Sequence, residues 1–117
     1  MKESIVKAKA MEFAKLAIDL YKLLIAKNEY VLSKQFLRSA TSIGANVSEA
    51  LAGVSKKDFA YKMSISAKES RETLYWIELI KYYDALEYDF TEIENKNMEL
   101  IKILTSIVKT SQQNLDN

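Results

Sequence analysis

Apolar residues recur at three- and four-residue steps near the start of the chain. Val6, Ala10, Phe13, Ala17, Leu20 and Leu24 share one side of a helical projection, and Lys7, Lys15, Asp19 and Lys22 lie elsewhere on it. That period predicts an amphipathic first helix over residues 5–27. The pattern breaks at 28–32. Ser33, a good N-cap, then introduces a second run of Phe36, Ala40, Ile43, Val47, Ala50 and Val54, with Gly53 where the helix should end. Ser55 and Asp58 form a capping-box pattern ahead of a long third helix reaching about residue 85, and Thr91 with Glu94 forms a clearer one. Behind it Ile93, Asn97, Leu100, Leu104, Val108 and Ser111 line a fourth helix, with a polar tail expected after about Gln112. Short connections between long helices favour antiparallel neighbours, so the pattern predicts an all-α fold: an antiparallel up-down four-helix bundle spanning 1–117 as one domain.

The second helix has an unusual composition, because residues 38–50 carry few large hydrophobes. At about 100° per residue, Arg38, Ser42, Asn46 and Glu49 share one arc facing away from Phe36, Ile43 and Val47. Thr41, Gly44, Ala45, Ser48 and Ala52 beside them are small enough to let another helix approach closely. The third helix offers a matching small side in Ala60, Ser64 and Ala67, which predicts that these two faces meet. Arg38, Glu49 and Glu72 would then be partly buried, where charges persist only when paired and hydrogen-bonded. Arg38, Ser42, Asn46, Glu49 and Glu72 are therefore expected to form a structural polar network, and a ligand-facing groove is the competing use of the same residues.

Composition sharpens this picture. A chain of 117 residues with 49% hydrophobic content can bury a real core, and with no Pro and only two Gly it has little with which to punctuate strands. No signal peptide and no apolar run of about 18 residues appears, so no membrane partner and a cytoplasmic location are expected. With no His and no Cys, the commonest general base, the commonest transition-metal ligand and any thiolate site are missing. Ser64, Ser66 and Ser70 near Lys62 and Lys68, or the carboxylates Glu49, Glu69 and Glu72, are better read as packing and ion pairing than as a catalytic or metal centre. Neither Gly has a second Gly near enough to build a phosphate loop. The expectation is a protein that is not an enzyme, with no metal, no cofactor and no small-molecule substrate.

The run of residues 37–50, LRSATSIGANVSEA, followed by SKKDFAYKMSISAKESRETLYWIELI, resembles the bacterial four-helix-bundle family encoded within intervening sequences of 23S rRNA genes. The pattern is carried by Arg38, Ser42, Ile43, Asn46 and Glu49, then Phe59, Lys62, Ala67, Lys68, Glu69, Glu72, Thr73 and Trp76. The resemblance implies a cytoplasmic bundle that assembles into a ring-like homopentamer. It is also similar to the accessory protein of diversity-generating retroelements, which implies binding of nucleic acid through a basic surface. No enzyme activity and no cofactor come with it.

Charge is uneven along the chain, although the net charge is only +1. Residues 1–57 hold ten Lys or Arg against five Asp or Glu, and residues 58–117 hold seven against eleven. Lys7, Lys15, Lys22, Lys34, Lys56 and Lys57 are the candidate phosphate-binding residues for an RNA or DNA backbone. Mutual pairing of basic and acidic helices is the competing explanation. Tyr75, Trp76, Tyr82, Tyr83, Tyr88 and Phe90 cluster late in the third helix and its exit, where core or interface packing is the expected use. Two functions stay open: an oligomeric accessory protein that holds nucleic-acid backbones, or a structural and protein-interaction module that binds none.

Overall fold

The computed structural model describes residues 2–116, in which four helices follow one another: α1 (Lys2–Ala26), α2 (Leu32–Leu51), α3 (Lys56–Tyr83) and α4 (Thr91–Asp116). Each helix packs on two neighbours, α1 on α2 and α4, and α3 on α2 and α4, and not on the helix diagonally across. The resulting up-down bundle measures 50 × 21 × 20 Å. Val6, Phe13, Leu20 and Leu24 of α1 meet Phe36, Ile43 and Val47 of α2, Met63 and Ile77 of α3, and Ile93, Leu100 and Leu104 of α4 in one buried cluster. The α4 stripe turns slightly from its expected line, so that Ile107 is buried and Val108 only half-buried. Val54 is corrected outright: it lies beyond the end of α2 and is 96% exposed.

The connection between α1 and α2 is built differently from the sequence expectation. Asn28 adopts the left-handed conformation (φ 63°), and the Asn28 and Glu29 N–H groups donate back to the carbonyls of Ile25 and Leu24, which closes α1. The Glu29 carboxylate then accepts the N–H groups of Val31, Leu32 and Ser33 at 3.1, 3.1 and 2.6 Å. Ser33 is thus inside the helix rather than its cap, and its hydroxyl donates to the Glu29 carbonyl at 2.6 Å. A carboxylate near a helix N-terminus meets both the orphan N–H groups and the positive end of the helix dipole.

The remaining ends are mixed in outcome. Ser55 caps α3 as expected, its hydroxyl accepting the Asp58 N–H at 3.0 Å. Asp84, with φ 57°, donates its N–H to the Ile80 carbonyl and ends α3 just short of residue 85. At α4 the Thr91–Glu94 box gives way to Asp89, whose carboxylate accepts the Thr91 N–H at 2.9 Å; both its bonds to Thr91 hold the carboxyl below its ordinary pKa. Glu94 turns instead to Lys81 on α3. The helix also runs on through the expected polar tail to Asp116.

The small-residue face of α2 is corrected too. Gly44 looks toward α1, where a Cβ added to it would sit 3.4 Å from the Ala10 Cβ, and a groove between the two helices is lined by Lys7, Met11, Ala14, Thr41, Ala45 and Ser48. Close approach to α3 comes from the other edge of α2. There Ser66 donates to the Ile43 carbonyl at 2.8 Å and Thr73 to the Ser39 hydroxyl at 3.0 Å, all four side chains being fully buried. Asn97 of α4, also fully buried, sets its amide between the Ser70 carbonyl and the Leu74 N–H, each 3.3 Å away, and these neighbours assign Nδ2 to the carbonyl and Oδ1 to the N–H. Gly44 has no positive φ to protect and meets Ala10 only at ordinary contact distance. Gly44→Ala is therefore expected to stabilise the protein by about 0.5 to 1 kcal/mol through helix propensity, read as a raised midpoint in urea unfolding.

Candidate nucleic-acid interface

Helical phase places three of the six candidate lysines together. Lys7, Lys15 and Lys22 fall within an arc of about 80° on α1, and all three are exposed. Met11 and Ile18 lie inside the same arc, 57% and 40% exposed. This arc looks toward α2, because Lys7 and Met11 line the groove of about 190 Å³ with Thr41, Gly44, Ala45 and Ser48. Lys34 shares the Thr41 and Ser48 side of α2, seven residues before Thr41, and antiparallel packing brings it to the Lys22 end of the face. From Lys7 to Lys22 the face is about 22 Å long. Asp19, one step around α1 from Lys15, bounds it.

Lys56 and Lys57 do not join this group. They occupy the first turn of α3, at the far end of α2 from Lys34, a separation of roughly the 30 Å length of a 20-residue helix. Lys56 lines a second depression of about 310 Å³ with Glu3, Ser55, Phe59, Ser111 and Asn114.

Pairing separates the cations of this bundle into two kinds. Lys9 meets Glu99 at 3.1 Å, Lys96 meets Glu12, Lys62 meets Glu49 at 2.8 Å and Lys81 meets Glu94 at 3.1 Å. Hydrogen bonding to Glu49 raises the Lys62 pKa, and the Lys96–Glu12 bond raises Lys96 and lowers Glu12. Lys7, Lys15, Lys22, Lys34, Lys56 and Lys57 enter no ion pair among the described residues.

The expected polar network divides: Arg38 and Glu72 pair at the surface rather than within the bundle, and Ser42, Asn46 and Glu49 do not join them. Arg38 bridges Glu69 at 3.3 Å and Glu72, and Glu72 also accepts the Trp76 indole N–H at 2.9 Å. The side chains of Arg38 and Glu72 keep 48% and 38% of their surface, so the expected desolvation is small. Ser42 and Asn46 bond back to their own helix, donating to the carbonyls of Arg38 and Ser42 at 2.6 and 2.8 Å. Glu49 stands apart with Lys62. No group of three or more His, Cys, Asp or Glu among the described residues is arranged to hold a metal ion, and no described helix is long and apolar enough to cross a membrane.

The late aromatics divide. Trp76, Tyr88 and Phe90 pack against the core, with Tyr88 and Phe90 edge to face at 4.7 Å. Tyr75, Tyr82 and Tyr83 are exposed, and Tyr75 meets the Trp76 ring at 5.1 Å. Tyr61, seven residues before Lys68 and fourteen before Tyr75, shares their outward side of α3. That relation is a spacing in the sequence, hidden when aromatics are grouped by nearness along the chain.

The family model described as 23S rRNA-intervening sequence protein matches residues 2–106. The fold is also similar to the crystal structure of a protein of unknown function from the S23 ribosomal protein family of Bacteroides thetaiotaomicron. The two align with a TM-score of 0.88 and 44% identity over 93% of this chain and 99% of that one. None of the curated proteins matches.

Proposed function

The chain belongs to the 23S rRNA-intervening sequence protein family, and on that footing we propose that it is a non-enzymatic accessory protein that holds nucleic-acid backbones. The observation that carries this reading is the face of Lys7, Lys15, Lys22 and Lys34, which share one side of the α1–α2 pair and have no carboxylate partner among the described residues while neighbouring cations are neutralised. Unpaired ammonium groups along about 22 Å suit phosphates, which release counterions when neutralised and need no base-specific contact. In this reading the protein works as a cytoplasmic homopentamer, like the retroelement accessory protein it resembles, and repetition around the ring multiplies a modest charge into a strong field. Ile5 and Leu23 on α1, 50% and 46% exposed and outside the lysine arc, supply apolar surface for contact between copies.

That same apolar surface, with a net charge of only +1, favours a second reading as a protein-interaction module without nucleic acid. Salt separates them. Mobility shift of structured RNA and duplex DNA is expected at low salt, with binding falling steeply as salt rises; no salt-sensitive binding to either leaves the interaction module. Sedimentation equilibrium is expected to give a multiple of the 13.4 kDa chain mass, and a monomer across micromolar concentrations would remove the ring.

A further inference from the structure

Along the outward side of α3, Lys57, Tyr61, Lys68, Arg71, Tyr75 and Tyr82 fall within an arc of about 80°. Tyr61, Lys68, Tyr75 and Tyr82 follow one another at intervals of seven residues. The three rings are 62%, 55% and 89% exposed, and Lys57 and Lys68 are exposed and enter no ion pair among the described residues. Arg71 gives one N–H to the Thr105 hydroxyl at 3.1 Å and meets no carboxylate among the described residues. α3 stands diagonally across the bundle from α1, so this row is separate from the lysine face.

We propose that the outward row of α3 is a binding site for single-stranded nucleic acid, in which Tyr61, Tyr75 and Tyr82 stack on unpaired bases while Lys57, Lys68 and Arg71 hold the intervening phosphates. The inference rests on the nucleic-acid reading above and adds the class of strand and the residues that take it. Alternation is the reason. Tyr61 and Tyr75 are about 21 Å apart along the helix axis with Lys68 midway, so an unpaired strand lying along the row meets ring, charge and ring in turn, several nucleotides spanning the distance between the two rings. A duplex offers no free base faces to these rings; a single strand offers one per nucleotide, whatever its sequence. A protein partner fits less well, because lysines are depleted from the desolvated centres of protein interfaces and this row carries two without carboxylate partners among the described residues. Charge also limits the site. Glu78 and Asp84 flank its upper end, so the phosphates are held between Lys57 and Tyr75, and Tyr82 contributes only a ring.

The test uses the full chain, a short oligothymidylate, an abasic strand of the same length and a duplex. Trp76, the only tryptophan and in edge contact with Tyr75, reports occupancy through its emission. Tyr61→Ala and Tyr75→Ala are each expected to weaken oligothymidylate binding about 5- to 150-fold, to leave abasic-strand and duplex binding unchanged, and to be rescued by Phe at the same position. These rings are exposed, and unchanged helical circular dichroism checks the fold. Equal binding of oligothymidylate by wild type and both Ala variants overturns the row. A wild type that does not distinguish oligothymidylate from the abasic strand overturns it also, while leaving the lysine face standing if duplex binding persists. A wild type that binds none of the three probes overturns both readings. Loss of oligomer mass in the Tyr variants without loss of oligothymidylate affinity assigns the row to contact between copies and overturns the proposal.

Discussion

Replacing Lys7, Lys15, Lys22 and Lys34 together with Glu is expected to reduce duplex binding by at least roughly a hundredfold at moderate salt while leaving thermal stability nearly unchanged. The two effects separate because these groups have no described partner in the fold. Even an intact surface ion pair contributes only about 0 to 1 kcal/mol, and none of the four lysines belongs to one. Phosphate binding responds more strongly, because each lost contact removes close to one unit of the slope of log affinity against log salt. Four lost contacts therefore flatten that slope by about 3.6 for B-form DNA. Lys102→Glu with Lys109→Glu, on the outward side of α4 and also free of ion pairs among the described residues, is the control. If the control loses affinity as far as the quadruple variant does, binding follows general positive charge and the α1–α2 face has no special role.

Glu29→Ala is expected to lower stability by about 2 to 4 kcal/mol, the largest effect of any single polar substitution considered. Glu29 is only 5% exposed, and its carboxylate is the acceptor for three backbone N–H groups at the start of α2. Removing it strands donors that the helix itself cannot satisfy; a lost cap costs about 0.5 to 2 kcal/mol, and a buried unsatisfied donor about 1 to 3. At roughly 4 °C per kcal/mol for a chain of this size, the melting temperature should fall by about 8 to 16 °C. Ser33→Ala removes one hydroxyl bond to the Glu29 carbonyl and should cost about 1 kcal/mol. A larger loss for Ser33→Ala than for Glu29→Ala in thermal or urea unfolding would show that the serine, and not the glutamate, anchors the helix.

Each helix was legible in the sequence because apolar spacing at 3.6 residues per turn is a local property. Phe13, Phe36, Ile43 and Leu100 belong to the core in any bundle that buries those stripes. The Ser55 cap was legible for the same reason, since donor and acceptor lie three residues apart. Glu29 was not, because a carboxylate can cap from before the helix only when the preceding turn, here shaped by the left-handed Asn28, folds the chain back on itself.

Partnership between helices was beyond local pattern altogether. Gly44 and Ser48 form a small face in the sequence, yet nothing in their spacing says whether α1 or α3 lies against it. Packing gave that edge to Ala10 and joined α3 through Ser39, Ser66 and Thr73 instead. Charge behaves in the same way. Composition shows a basic first half, but only the arrangement of helices determines that Lys9, Lys62 and Lys96 meet carboxylates while Lys7, Lys15, Lys22 and Lys34 meet none among the described residues and share a face. The sequence by itself determined which side of each helix turns inward, because burial of apolar area depends on residue type and helical phase. Tertiary structure alone decided which outward sides become neighbours, because that depends on contacts between residues far apart in the chain, where no short-range spacing carries the information.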